Sequence, residues 1–131
     1  MPVQLRWLDD EKRILIFDFI GRWTTQEMLT AMEEERMLCA EVGTPIAYIN
    51  DFTQSTRIPL DIVLHIGEIF NGMQPFIPTY MLNCDTAVRF LIETAQRLIP
   101  GIPFYLVGSV EEVKQRVQAQ VAVAVNDAHR K

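Results

Sequence analysis

Ile46-Ala47-Tyr48-Ile49-Asn50-Asp51-Phe52-Thr53-Gln54-Ser55-Thr56 is the stretch that decides how the chain folds. Its first four residues are a short, mostly apolar run, which closes on Asn50-Asp51 and a loop rich in hydroxyls. A short apolar run bounded by turn residues has the form of a buried strand. Gly43 and Pro45 stand just before it and mark the end of a helix, the glycine as a left-handed cap and the proline as a block to resumption. Pro59 stands just after it and fits the first turn of another helix. Helix, strand, loop and helix make one period of an α/β pattern.

Working upstream, Thr24 is an N-cap with Glu27 three residues later, a capping box, and Trp23 with Met28 suits a hydrophobic staple. Met28, Ala31, Met32, Leu38, Cys39 and Val42 form one apolar stripe at helical spacing. Further back, Val3, Leu5 and Trp7 alternate with Gln4 and Arg6, as in a half-buried strand. Arg13 to Ile20 is apolar on both faces and reads as a more central strand. Only the charged turn Asp9-Asp10-Glu11-Lys12 separates the two, so they form an antiparallel hairpin.

Downstream, a helix runs from Pro59 to about Asn71 and stops at Gly72. Pro75 and Pro78 flank the way into a strand, Thr79 to Leu82. Asp85 caps a helix whose stripe is Val88, Leu91, Ile92, Ala95, Leu98 and Ile99, and Pro100-Gly101 ends it. Pro103 to Val107 is the last strand. Ser109 with Glu112 is a second capping box, followed by the stripe Val110, Val113, Val117, Val121 and Ala124. The order ββαβαβαβα predicts an α/β fold: a mixed, mainly parallel five-stranded sheet with an antiparallel N-terminal strand and four helices. Helices are expected on both faces, and residues 1–131 are expected to form a single domain.

Composition narrows the function classes. A formal charge of −5 disfavours nucleic acid as a partner, because such binding needs clustered cations. No apolar run is long enough for a membrane span. The N-terminal residues lack the layout of a signal peptide. Cys39 and Cys84 lie far apart and read as free thiols of a reducing compartment, so a cytoplasmic location is expected.

Three segments carry a family resemblance. Gly21-Arg22-Trp23-Thr24 leaves the second strand and opens the first helix. Tyr48-Ile49-Asn50-Asp51 ends the third strand in an acid. Phe104-Tyr105-Leu106-Val107-Gly108-Ser109-Val110-Glu111-Glu112-Val113 joins the last strand to its helix. With the ββαβαβαβα order, these resemble the STAS fold (sulphate transporter and anti-sigma-factor antagonist), in particular the SpoIIAA-like group of small bacterial proteins. The resemblance implies a non-enzymatic regulatory or protein-interaction domain whose partner is a second copy (a homodimer) or another protein. It also implies a phosphorylatable hydroxyl after the strand-ending acid, usually followed by glycine at a helix start. Here Asp51 and the hydroxyls of Thr53, Ser55 and Thr56 are present, but no Asp-Ser-x-Gly is.

In a sheet of this kind ligands collect at the carboxyl ends of parallel strands, near helix N-termini. Those ends fall at Asn50-Asp51, Asn83-Cys84-Asp85 and Gly108-Ser109. The candidates for binding or phosphorylation are therefore Asp51, Thr53, Ser55, Thr56, Asp85 and Ser109. A phosphate among them could pair with Arg57. The competing reading makes Asp85 and Ser109 plain caps and Asp51 a loop-ordering residue.

Other chemistry has weaker support. Asp61, His65 and Glu68 share a helix face, which reads as a solvated face rather than a metal site. No Gly-x-Ser-x-Gly and no glycine-rich phosphate loop is present, so no cofactor is expected. An enzyme using Asp51, Asp85 or Cys84 would need a concave pocket joining two of them. Phe70, Met73, Phe76 and Ile77 surround a turn and form either an exposed apolar patch or the packing of a loop on the sheet. The alternative to a regulatory domain is a carrier of a small or lipid-like ligand, with its pocket between the sheet and the helices after Pro59 and Asp85.

Overall fold

The computed structural model describes residues 2–71 and 77–129. It opens with the hairpin. β1 (Val3–Trp7) runs antiparallel to β2 (Ile14–Phe19), with Val3 opposite Phe19 and Trp7 opposite Leu15. Each later strand is parallel to its predecessor: β3 (Ala47–Asp51), β4 (Thr79–Leu82) and β5 (Phe104–Val107). The spatial order is the chain order, β1-β2-β3-β4-β5.

That order dictates where the helices lie. A right-handed crossover that always steps the same way along the sheet leaves its helix on the same face each time. α1 (Thr25–Val42), a helical segment over 60–71 and α3 (Thr86–Leu98) fill the three crossovers. They cover one face, where Leu15, Phe17, Phe19, Tyr48 and Met81 pack with Met28, Ala31, Met32, Ile62, Val88 and Ile92. α4 (Val110–His129) follows the last strand and covers the other. There Ile14, Ile16, Ala47, Ile49, Tyr80 and Leu82 meet Val113 and Val117. The central strands are thus buried on both sides, which is why β2 reads as nearly continuous apolar sequence.

The helix starts follow the capping chemistry. Thr24 Oγ1 accepts from the Glu27 amide at 3.1 Å, and Glu27 Oε1 accepts from the Thr24 amide at 3.0 Å. Asp85 Oδ1 accepts from the Val88 amide at 2.9 Å.

Several details differ from the sequence reading. Gly43 has φ 104° and ψ 162° rather than the left-handed helical values, a region only glycine enters freely. Pro59 stands one place outside the helix, as an extended cap to a 3-10 stretch, Leu60–His65, which passes into α2 (Ile66–Asn71). Glu112 Oε2 accepts from the Gly108 amide at 2.9 Å, not from Ser109, so the second box is displaced by one residue. Val42, Leu98 and Ile99 continue their stripes past the end of the sheet and are exposed. Ile77 packs against the first core cluster. Gly72, Met73, Pro75 and Phe76 lie outside the described residues, as do Arg130 and Lys131.

Candidate functional site

The loop after β3 folds back against the end of β2 instead of leaving the sheet. The Gly21 amide donates to the Gln54 carbonyl at 2.8 Å, and the Thr56 amide donates to the Gly21 carbonyl at 3.0 Å. These bonds make a parallel bridge between Gly21 and Ser55. Gly21 has φ 62°, a left-handed conformation that glycine adopts without a Cβ penalty. The Phe52 amide donates to the Leu82 carbonyl at 3.0 Å, which ties the same loop to β4.

An aromatic cluster supports the loop from below. Phe52 stacks on Phe19 with centroids 4.7 Å apart, and Trp23 tilts against Phe19 at 4.6 Å. Trp23 is buried, so its indole N–H needs a partner. It finds one in Ser55 Oγ at 2.9 Å.

The polar side chains above divide into separate groups. Asp51 Oδ1 accepts from the Thr53 amide at 2.9 Å and from the Thr53 hydroxyl at 2.5 Å, an Asx turn. Asn83 Nδ2 donates to the same hydroxyl. Asn83 has φ 58°, a left-handed conformation that asparagine tolerates better than most residues. The Thr53 oxygen therefore joins the ends of β3 and β4. Thr53, Ser55, Asn83 and Asp85 line one open concavity of about 340 Å³, floored by Phe52 and Val88.

The six sequence candidates fall as follows. Thr53, Ser55 and Asp85 share that concavity, and Asp51 joins it through Thr53. Asp85 is also the cap of α3, and Ser109 Oγ accepts from the Glu112 amide at 3.2 Å as the cap of α4. Ser109 does not line the concavity. Thr56 lies on its Gly21 side and is exposed. Cys84 is half-buried, and burial pushes its thiol up to about 11. A thiol held protonated in this way is a poor nucleophile. His65 contacts its own helix neighbours, Glu68 at 3.1 Å and Asp61 at 3.7 Å.

Sequence reasoning missed one feature of this edge. Asp18 lies directly opposite Asp51 in the β2–β3 register. Arg6 Nε donates to Asp18 Oδ2 at 2.6 Å. That hydrogen bond raises the Arg6 pKa against the opposing effect of burial, with the charges of Asp18 and Asp51 adding to it. An acid inside the apolar run of β2 was the available signal. A small cavity of about 90 Å³ lies where the carrier reading expects a pocket, between the sheet and the helices after Pro59 and Asp85. Its lining includes Phe19, Ile62, Ile66, Leu91 and Ile92, with Asn50 as the polar group in the wall. Asn50 Nδ2 donates to the sulfur of Met81 at 3.4 Å.

Among the described residues no helix is long and apolar enough to cross a membrane. No family model matches the chain, and no curated protein sequence does. Solved structures do match. The anti-sigma factor antagonist SpoIIAA in its unphosphorylated form aligns over 88% of this chain and 97% of its own, with a TM-score of 0.61 and 14% identity. The Bacillus cell fate determinant SpoIIAA in its phosphorylated form aligns over 88% and 98%, with a TM-score of 0.58 and 15% identity. At these identities the likeness establishes the fold, which is STAS-like.

Proposed function

We propose that this chain of STAS-like fold is a non-enzymatic regulatory domain that works by binding another protein through the carboxyl edge of its sheet. The observation that carries the reading is the doubled-back loop 52–58. It is tied to β2, β4 and the aromatic cluster, so it offers a pre-organised polar surface rather than a loop that must be ordered on binding. The two similar structures support the regulatory sense, since one is described as an anti-sigma factor antagonist and the other as its phosphorylated form. Within the loop, Thr56 is the hydroxyl this reading assigns to modification. Thr53 is held between Asp51 and Asn83, and Ser55 accepts from Trp23, whereas Thr56 is exposed with its side chain outside these bonds. A phosphate there would lie beside Arg57 and, across the Gly21 bridge, near Arg22.

The test is site-specific photocrosslinking in the cells the protein comes from. A photoreactive residue replaces Gln54 on the loop in one version and Lys114 on α4 in another. A discrete adduct from position 54 and none from position 114 is expected. Equal labelling at both, or no adduct from position 54, would overturn the reading. Light scattering on the purified protein separates a homodimer from a complex with a different chain.

The cavity favours a second reading, a carrier of a small apolar ligand. Its size is below that of the ~150 Å³ apolar cavities known to take up benzene. The occupant would therefore be a small group, or the end of a chain, with a single hydrogen bond to Asn50. Native mass spectrometry of the freshly purified protein is expected to show an adduct. A bare mass removes this reading.

A further inference from the structure

On the other side of the doubled-back loop, the turn into α1 and the approach to the 3-10 stretch enclose a concavity of about 370 Å³. Arg22 and Arg57 line it together with Thr24 and Asp61, and Trp23, Ile58, Pro59 and Leu60 form its apolar wall. Neither arginine has an ion-pair partner among the described residues, although the chain carries five more acids than bases. Asp61 is the one acid in the lining, and its charge is set against two guanidiniums. Asp61 Oδ1 accepts from the Thr25 hydroxyl at 2.8 Å, and Glu27 is committed to the α1 capping box. The bridge between Gly21 and Ser55 fixes the two arginine-bearing segments side by side. The wall continues onto a ridge where Leu60, Val63 and Leu64 are 81%, 49% and 83% exposed. Two leucines so bare on one short turn contribute nothing to the core, so their apolar area is free for contact.

We infer that this cleft is the docking site for an acidic segment of a partner protein, one that presents a carboxylate beside an aliphatic side chain. Charge complementarity selects the acid: two guanidiniums without an ion-pair partner among the described residues line the cleft against the single carboxylate of Asp61, and guanidinium is the cation best matched to a carboxylate. The exposed leucines select the aliphatic neighbour. The inference rests on the protein-binding role proposed above and names the chemistry of its partner. It also gives Thr56 a function. A phosphate on Thr56 would occupy the same two arginines from within the chain and close the cleft to the acid.

The probe is an acetylated, amidated Glu-Leu-Glu-Leu peptide, followed by amide NMR shifts. Shifts are expected at residues 21–26 and 57–61. Affinity is expected to fall about tenfold or more in the double variant Arg22→Glu, Arg57→Glu, and to weaken at about 0.5 M NaCl. A Lys-Leu-Lys-Leu peptide is expected not to bind. The charge-reversal variant remains interpretable because both positions are exposed, and its unfolding curve checks that it folds. Shifts centred elsewhere, equal affinity for the variant, or equal binding of the basic peptide would overturn the inference. Thr56→Glu separates the two proposals: lost peptide binding supports both, whereas unchanged binding keeps the cleft and removes Thr56 from the regulatory reading.

Discussion

The carboxylate of Glu35 on α1 accepts the hydroxyl of Tyr48 on β3 in the interface between helix and sheet. Glu35 is 8% exposed and is the one charged residue buried in the core among those described. Cys39, one turn further along α1, adds its thiol to the same carboxylate at 3.4 Å. A buried acid without a cation is tolerated only while its donors stay in place. Burial and the Glu35 contact both push the Tyr48 pKa upward, so the phenol stays protonated and remains a donor.

This pair should therefore dominate the polar contribution to stability. Glu35→Ala strands the Tyr48 hydroxyl and is expected to cost about 2–3 kcal/mol. Tyr48→Phe leaves the buried acid with the weak Cys39 thiol donor and is expected to cost about 3 kcal/mol. Glu35→Gln keeps an acceptor and should cost clearly less than either. Urea unfolding of the three variants and a double-mutant cycle give the coupling directly. Additive losses would show that the contact carries no energy of its own.

The thiols give a pH dependence with a definite sign. Burial pushes Cys39 and Cys84 up to about 11 from an ordinary 9.0. The unfolded chain therefore releases these protons first as pH rises. Their contribution to stability is complete below about pH 9 and declines as pH climbs towards about 11. The raised Tyr48 acts in the same direction. Urea midpoints are expected to fall over this window, and a Cys39→Ala, Cys84→Ala variant should show a shallower fall. Thiol labelling of the folded protein near pH 8 should likewise be slower than that of free cysteine.

Local chemistry accounts for what the sequence made legible. Thr24 with Glu27, and Asp85 before Val88, announce helix starts because their partners lie within one turn. Asp51 and its hydroxyl loop could be placed at the sheet edge because parallel strands alternate with helices. Strand order could not, since nothing near Tyr48 in the chain encodes that Thr79 is its neighbour. Glu35 lies at helical spacing from Met28, Met32 and Cys39, so the stripe itself was a signal, but a charge between apolar residues reads as solvent-facing until a donor on another element is known. Asn83 and Arg22 gain their roles only from contacts made by a returning loop.

Thr53 should behave as a fastener. Its hydroxyl bonds both Asp51 and Asn83. Thr53→Val keeps the shape and removes both bonds. A global loss of about 1 kcal/mol is expected, with a larger local effect. Amide exchange should accelerate over residues 51–56 and at Asn83 while the β2 and β3 amides stay protected. Uniform acceleration across the sheet would show that the hydroxyl supports the whole fold rather than its edge.

Ser55 offers an optical readout of the same surface. Its oxygen accepts from the Trp23 indole N–H, and Trp23 is 3% exposed. Ser55→Ala leaves a buried donor without an acceptor, at an expected cost of about 1–2 kcal/mol. Because Trp7 is the only other tryptophan, a Trp7→Phe background isolates the signal. In that background Ser55→Ala should shift the Trp23 emission, and Ser55→Thr, which retains the acceptor, should restore it. Binding at the carboxyl edge that displaces the loop would reproduce the Ser55→Ala spectrum without any mutation, whereas binding confined to α4 would leave the emission unchanged.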